Sequence, residues 1–157
     1  MDIRIVEKVF DPQAEIAAFT AGRDDAGALV SFVGTCRAAT GNVAVDELRI
    51  DHYPGFTEKE IGRLAGETAR RFQCPDLLVV HRVGAIRPGE AIVLVAALST
   101  HRSDAFEVVR ILMDYLKTDA PLWKKETGSG GARWIEPRSE DYARRQKANE
   151  KAGEETS

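Results

Sequence analysis

The stretch Leu77–Leu98, reading LLVVHRVGAIRPGEAIVLVAAL, decides the fold class. Two apolar runs rich in valine and isoleucine, Leu77–Val83 and Ala91–Leu98, flank Arg87-Pro88-Gly89-Glu90. Branched residues favour extended backbone, and Pro-Gly favours reversal, so the stretch predicts two strands joined by a turn. Each run ends near a His-Arg pair: His81-Arg82 lies inside the first, and His101-Arg102 follows the second after Ser99-Thr100.

Downstream, Ser103 or Asp104 is expected to cap a helix whose Phe106, Val109, Met113 and Leu116 share one face, with Lys117 on its last turn. Upstream, Thr57 and Glu60 have capping-box spacing. Ile61, Leu64, Ala65, Thr68, Ala69 and Phe72 then recur at helical spacing and predict an amphipathic helix. Before it, Gly27–Val33 reads as a buried strand running into Gly34-Thr35-Cys36-Arg37, and Val45–Tyr53 as another that Pro54-Gly55 ends. Residues 2–9 alternate Ile3, Ile5 and Val9 with charged neighbours, the pattern of a half-buried strand, and Pro12 opens a short helix carrying Ile16 and Phe19 and closing at Gly22.

At the other end, Leu122–Glu126 and Ala132–Ile135 are expected to form a hairpin around a flexible Gly128–Gly131 tip, with Trp123 and Trp134 packing it onto the core rather than offering an aromatic wall for a flat ring. From Ser139 onward Tyr142 is the one large apolar residue, which predicts a polar, frayed tail over 139–157 after a single domain over 1–138. Strands and helices mixed irregularly, with several hairpins, argue for an α+β fold rather than a doubly wound sheet.

The 22 basic and 25 acidic side chains leave a net charge of −3, so nothing in the bulk charge attracts nucleic acid or an anionic membrane. No secretory signal and no apolar membrane span is legible, and no nucleotide-binding glycine loop. Cys36 and Cys74 form no CxxC pair and have no histidine at zinc-ligand spacing, which suits two free thiols in a reducing cytoplasm and no bound metal.

Chemistry, if present, must come from cations placed where strands and helices open into loops: Arg37, His101-Arg102, Lys117 and Lys124-Lys125. Each alone reads as a solvated surface charge. Gathered together they would form an anion pocket, and crowding plus desolvation would disfavour the ammonium form of a lysine within it. Neighbouring strand residues face opposite sides, so one of Lys124 and Lys125 meets such a pocket and the other meets solvent; spacing leaves open which. Cys36 reads as a small packed thiol rather than a nucleophile. Without metal-ligand clusters or paired acid–base carboxylates, ester hydrolysis is disfavoured, and a non-catalytic binding module is the main rival to an enzyme.

Five segments in order resemble the molybdopterin synthase large-subunit family: Gly27–Arg37, Asp51–Gly55, His81–Gly84, Ser99–Ser103 and Met113–Glu126. The resemblance implies a two-layer α+β fold of the hammerhead type with a mixed and antiparallel sheet and a small C-terminal hairpin. It implies a homodimer, each copy binding a small ubiquitin-like partner whose C-terminal Gly-Gly tail carries sulfur as a thiocarboxylate, and a cyclic pyranopterin monophosphate as substrate. By the same resemblance Lys117 and Lys124 are the catalytic residues, and Thr35, Cys36, Arg37, His101, Arg102, Lys125, Glu126 and Arg138 bind substrate. No cofactor is implied, since the partner supplies the sulfur. Asp51 and Cys36 depart from the family pattern, which makes the thiol incidental.

Overall fold

The computed structural model describes residues 1–137, 139–143 and 146. The chain runs β1 (Asp2–Val6), α1 (Pro12–Thr20), β2 (Ala28–Thr35), β3 (Ala39–Thr40), β4 (Val43–His52), α2 (Phe56–Arg71), β5 (Asp76–Arg82), β6 (Gly84–Ile86), β7 (Ala91–Ser99), α3 (Arg102–Thr118), β8 (Leu122–Gly128) and β9 (Gly131–Ile135). A further helical turn covers 139–143.

The apolar runs around the Arg87–Glu90 turn form β5 and β7, antiparallel neighbours at the centre of a four-stranded sheet ordered β1-β5-β7-β2. Both strands are buried almost throughout because both faces of the sheet are covered, which explains why the sequence there does not alternate. On one face α2 and α3 bring Ile61, Ala65, Val108 and Leu112 against Leu77, Val79 and Val95. On the other, Ile16 and Phe19 of α1 pack on Leu78, Val80, Leu94 and Ala96. β1 adds in parallel to β5 and β2 antiparallel to β7, making β2 an edge strand.

The second sheet is ordered β3-β4-β8-β9, with β6 pairing β4 as well. The side chains of Val45, Leu48, Ile50, Val83, Ile86 and Cys36 form its own small core. The hairpin of β8 and β9 is present as expected, but its tip is a tight turn at Ser129-Gly130 into Gly131 at φ 87°.

Several local expectations are corrected. The first strand stops at Val6 rather than continuing to Val9, which is exposed. α2 begins one residue earlier than Thr57, because Gly55 takes φ 81° and its N–H is capped by the Glu58 carboxylate at 2.7 Å. Thr57 is wholly buried instead: its hydroxyl accepts from the Tyr53 N–H at 3.1 Å and donates to the Pro121 carbonyl at 3.1 Å. α3 begins at Arg102 with His101 at its N-cap and no side-chain cap, so Ser103 and Asp104 lie inside its first turn. Its buried face carries Ala105, Val108, Leu112 and Tyr115, while Phe106 is 62% exposed. Trp123 and Trp134 do not pack the hairpin onto the core; both are exposed, Trp123 edge-on to Tyr53 at 5.0 Å.

Candidate functional site

α3 follows β7 after only two residues and packs back along it, so its C-terminus lies at the end of the first sheet where β2 and β5 finish and β7 starts. That end meets the second sheet. Between them, the last turn of α3, the 119–121 connection, the start of β8 and the end of β9 enclose a cavity of about 600 Å³. Lys117 and Lys124 both line it, and Trp123 and Trp134 stand at its edge, on the opposite face of the hairpin from Lys124.

Strand register settles which of the paired lysines enters. Lys124 stands opposite Ile50 on β4 and Ile135 on β9, and directly opposed residues share a face, so its stem lies on the apolar side of the hairpin. Burial pushes its pKa down, the positive charge of Lys117 adds to this, and Asp141 opposes it. Lys125 points to the other side, its ammonium 5.6 Å from the centre of the Trp134 ring.

Two groups that act on these lysines carried little signal in the sequence. Asp141, on the 139–143 turn, is 5% exposed and its carboxylate lies 3.2 Å from the Lys117 ammonium. Nothing in that polar stretch marks a buried carboxylate, because a single short turn has no apolar periodicity to read. His81 is completely enclosed in the middle of the molecule, and its Nδ1 donates to the Arg82 carbonyl at 2.8 Å. Burial, and then the charge of Lys124, push it down to about 3, so near neutral pH it is an uncharged imidazole with Nε2 free of a proton. In the sequence it is marked by its pairing with Arg82 and by the family segment His81–Gly84, neither of which signals an uncharged, enclosed imidazole.

The other predicted residues fall outside this cavity. Thr35 and Cys36 close β2, and the Cys36 peptide is locked to the β6–β7 turn: its N–H donates to the Glu90 carbonyl at 2.9 Å and its carbonyl accepts from Gly89 at 2.8 Å. The Cys36 thiol is buried, and desolvation, then Glu126 and Glu90, push its pKa up, away from a thiolate nucleophile. Arg37 follows on the exposed loop, at the same end of the first sheet as Lys117. Glu126 shares a face with Lys124 but is held away from it, accepting from Thr40 at 2.9 Å and from Arg133 at 2.7 Å. His101 and Arg102 sit at the opposite end of α3, roughly 22 Å from Lys117 at 1.5 Å per helical residue, so one chain does not bring them together. Arg138 lies outside the described residues.

A family model described as MoaE protein matches residues 5–119. The molybdopterin synthase catalytic subunit of Mesorhizobium japonicum is 52% identical over 141 residues, covering 88% of this chain and 87% of that one. Among solved structures, the molybdopterin biosynthesis MoaE protein of Burkholderia ambifaria is similar with a TM-score of 0.75 at 46% identity, over 90% of this chain and 93% of that one. The molybdopterin synthase structure from Staphylococcus aureus gives a TM-score of 0.77 at 28% identity, over 85% and 96% respectively. No helix among the described residues is long and apolar enough to cross a membrane.

Proposed function

The chain belongs to the MoaE protein family, and from that premise we propose that it is the catalytic, sulfur-transferring subunit of a molybdopterin synthase. The observation that carries the proposal is the meeting of Lys117 and Lys124 in one cavity. Both reactants are anions, a thiocarboxylate and a cyclic phosphate, and they repel one another in water. Ammonium groups held at that cavity, with Lys124 desolvated by burial, offset the repulsion where charge develops.

In this reading a small ubiquitin-like protein delivers its C-terminal thiocarboxylate, a Gly-Gly tail suiting a narrow entrance because glycine has no side chain. The sulfur bonds to a carbon of the pyranopterin monophosphate as a carbon–oxygen bond at that carbon breaks, the oxygen leaving as water or as the freed phosphate oxygen, and the tail stays joined to the sulfur as a thioester. Water then attacks the acyl carbon, the acyl carbon–sulfur bond breaks, and the tail departs as a carboxylate with the sulfur retained on the pterin. A second transfer completes the dithiolene. Lys117 contacts the thiocarboxylate carbon or activates the substrate, and Lys124, the more desolvated amine, supports it. The sulfur arrives on the partner, so no resident cofactor or metal is invoked.

A homodimer fits the placement of the remaining cations. Edge strand β2 has no charged residue between Ala28 and Thr35 and exposes Leu29 and Phe32, an unprotected edge of the kind that pairs with another strand. Antiparallel pairing of two copies about a two-fold axis near Ser31 sets Ala28, the neighbour of Ser99, opposite Thr35 of the second copy. That arrangement carries His101 and Arg102 of one copy toward Arg37 of the other, and so toward the lysine cavity, as phosphate and pterin ligands.

The test is a turnover assay with thiocarboxylated partner and precursor, read by mass spectrometry. Wild-type chain is expected to yield the dithiolene product, and Lys117→Ala to lose on the order of 100-fold or more in rate while still folding and binding partner. Near-normal turnover by a folded Lys117→Ala chain refutes the assignment. Binding of partner and precursor without sulfur transfer by the wild type points instead to a binding module.

A further inference from the structure

One of the cavity lysines pairs with a carboxylate that the proposed chemistry does not use. Asp141 reaches Lys117 from the helical turn after β9, and its side chain is 6% exposed, whereas that of Lys117 is 54% exposed. A salt bridge that only fastened a chain end would sit at the surface, where neither charge loses its water. Taking a carboxylate out of water is costly unless a nearby cation compensates. Here Lys117 pairs with Asp141, and Asp141 acts electrostatically on Lys124 as well.

Lys117 needs a tether more than Lys124 does. Its stem rises from the last turn of α3 with more than half its surface in solvent, so its ammonium has many rotamers to lose. Lys124 is already confined between Ile50 and Ile135. The two ammonium groups also repel each other, and that repulsion drives the freer one outward.

We infer that Asp141 is a positioning residue, holding the Lys117 ammonium inside the cavity beside Lys124, so that the 139–143 turn is a working part of the site. The inference rests on the proposed function for its kinetic consequence, but the tether itself can be tested without partner or substrate. Among the described residues, the charged or titratable groups around the pair include Asp119 at the end of α3, Glu136 after β9 and His81 on β5. Their contribution is common to every variant compared below.

The experiment uses the full chain as wild type, Asp141→Asn and Asp141→Glu. In the chain alone, competitive acylation by a small amine-reactive ester, mapped peptide by peptide, reads how freely the Lys117 amine meets solvent reagent. Asp141→Asn is expected to raise Lys117 acylation about threefold or more, and Asp141→Glu to leave it near the wild-type rate, since a longer carboxylate restores the charge-assisted bond. In turnover, Asp141→Asn is expected to lower kcat about tenfold or more with KM for the precursor little changed, and Asp141→Glu to recover most of the loss. Unchanged Lys117 acylation in Asp141→Asn overturns the inference, as does a glutamate variant that behaves like the asparagine one. If the wild type makes no product, the functional proposal fails while the acylation pattern still decides the tether.

Discussion

Replacing Thr57 by valine should destabilise the protein far more than loss of a helix cap would. The hydroxyl at this position bridges two backbone groups from different elements, the Tyr53 N–H and the Pro121 carbonyl, each at 3.1 Å, within a site closed to water. Valine keeps the shape and removes both bonds at once. Each buried or half-buried group left without a partner costs about 1–3 kcal/mol, and taking the low end for two gives about 2–3 kcal/mol. A cap alone would cost about 1 kcal/mol. For a domain of this size the larger figure lowers Tm by about 5–10 °C. Urea unfolding at pH 7 should show the midpoint falling with the slope unchanged, and Thr57→Ser should recover most of the loss. Turnover should fall as well, because Pro121 precedes Trp123 and Lys124 and lines the cavity. A Thr57→Val chain within about 0.5 kcal/mol of wild type would refute the bridge, since that is the scatter expected of an ordinary surface change.

Cys36→Ala should keep turnover within about threefold of wild type, because a buried thiol whose pKa is raised offers no thiolate; a folded, inactive variant would restore the cysteine to the chemistry. His81 makes stability fall in acid. Its folded pKa of about 3 lies below the ordinary 6.5, so the unfolded chain binds the extra proton between those values and stability rises with pH across that window. Between pH 5 and pH 7 the effect is about 2 kcal/mol, and His81→Gln should lose that part of the slope in urea titrations; an identical slope would mean the imidazole is not buried uncharged. Phe32→Lys puts a charge on the β2 edge and should yield a monomer by light scattering with turnover sharply reduced, whereas an active dimer would place the subunit contact elsewhere.

The sequence exposes the parts of this fold whose residues repeat. The runs either side of Arg87–Glu90 and the stripe from Ile61 to Phe72 announce β5, β7 and α2, because burial on a regular element imposes a period. β3 and β6 were invisible at two and three residues, too short to carry one. Helix starts were misplaced at Thr57 and at Ser103 for a related reason: a residue that can cap is equally able to bridge or to lie within the first turn, and only the incoming backbone decides. Trp123 and Trp134 were expected to pack the hairpin onto the core because they are large and apolar, yet alternation sets both with Lys125 on the exposed face of the hairpin, which composition does not distinguish from a core. Within the site, the link between Lys117 and Lys124 was suggested by the family segment that contains both. The strand register then chose Lys124 over Lys125, which alternation alone could not. Asp141 stood beyond the reach of either argument, since its importance comes from a neighbour some two dozen residues earlier.

The strand order β1-β5-β7-β2 has a kinetic meaning for a chain made from its N-terminus. β1 and β2 emerge first, but each pairs only with a central strand that lies further along, β1 with β5 and β2 with β7. Until synthesis passes Ser99, the uncharged segment Ala28–Thr35 has no native hydrogen-bonding partner and is open to pairing with other nascent chains. Fragments ending before that residue should therefore aggregate, and slow production with chaperone support should raise the yield of the intact chain.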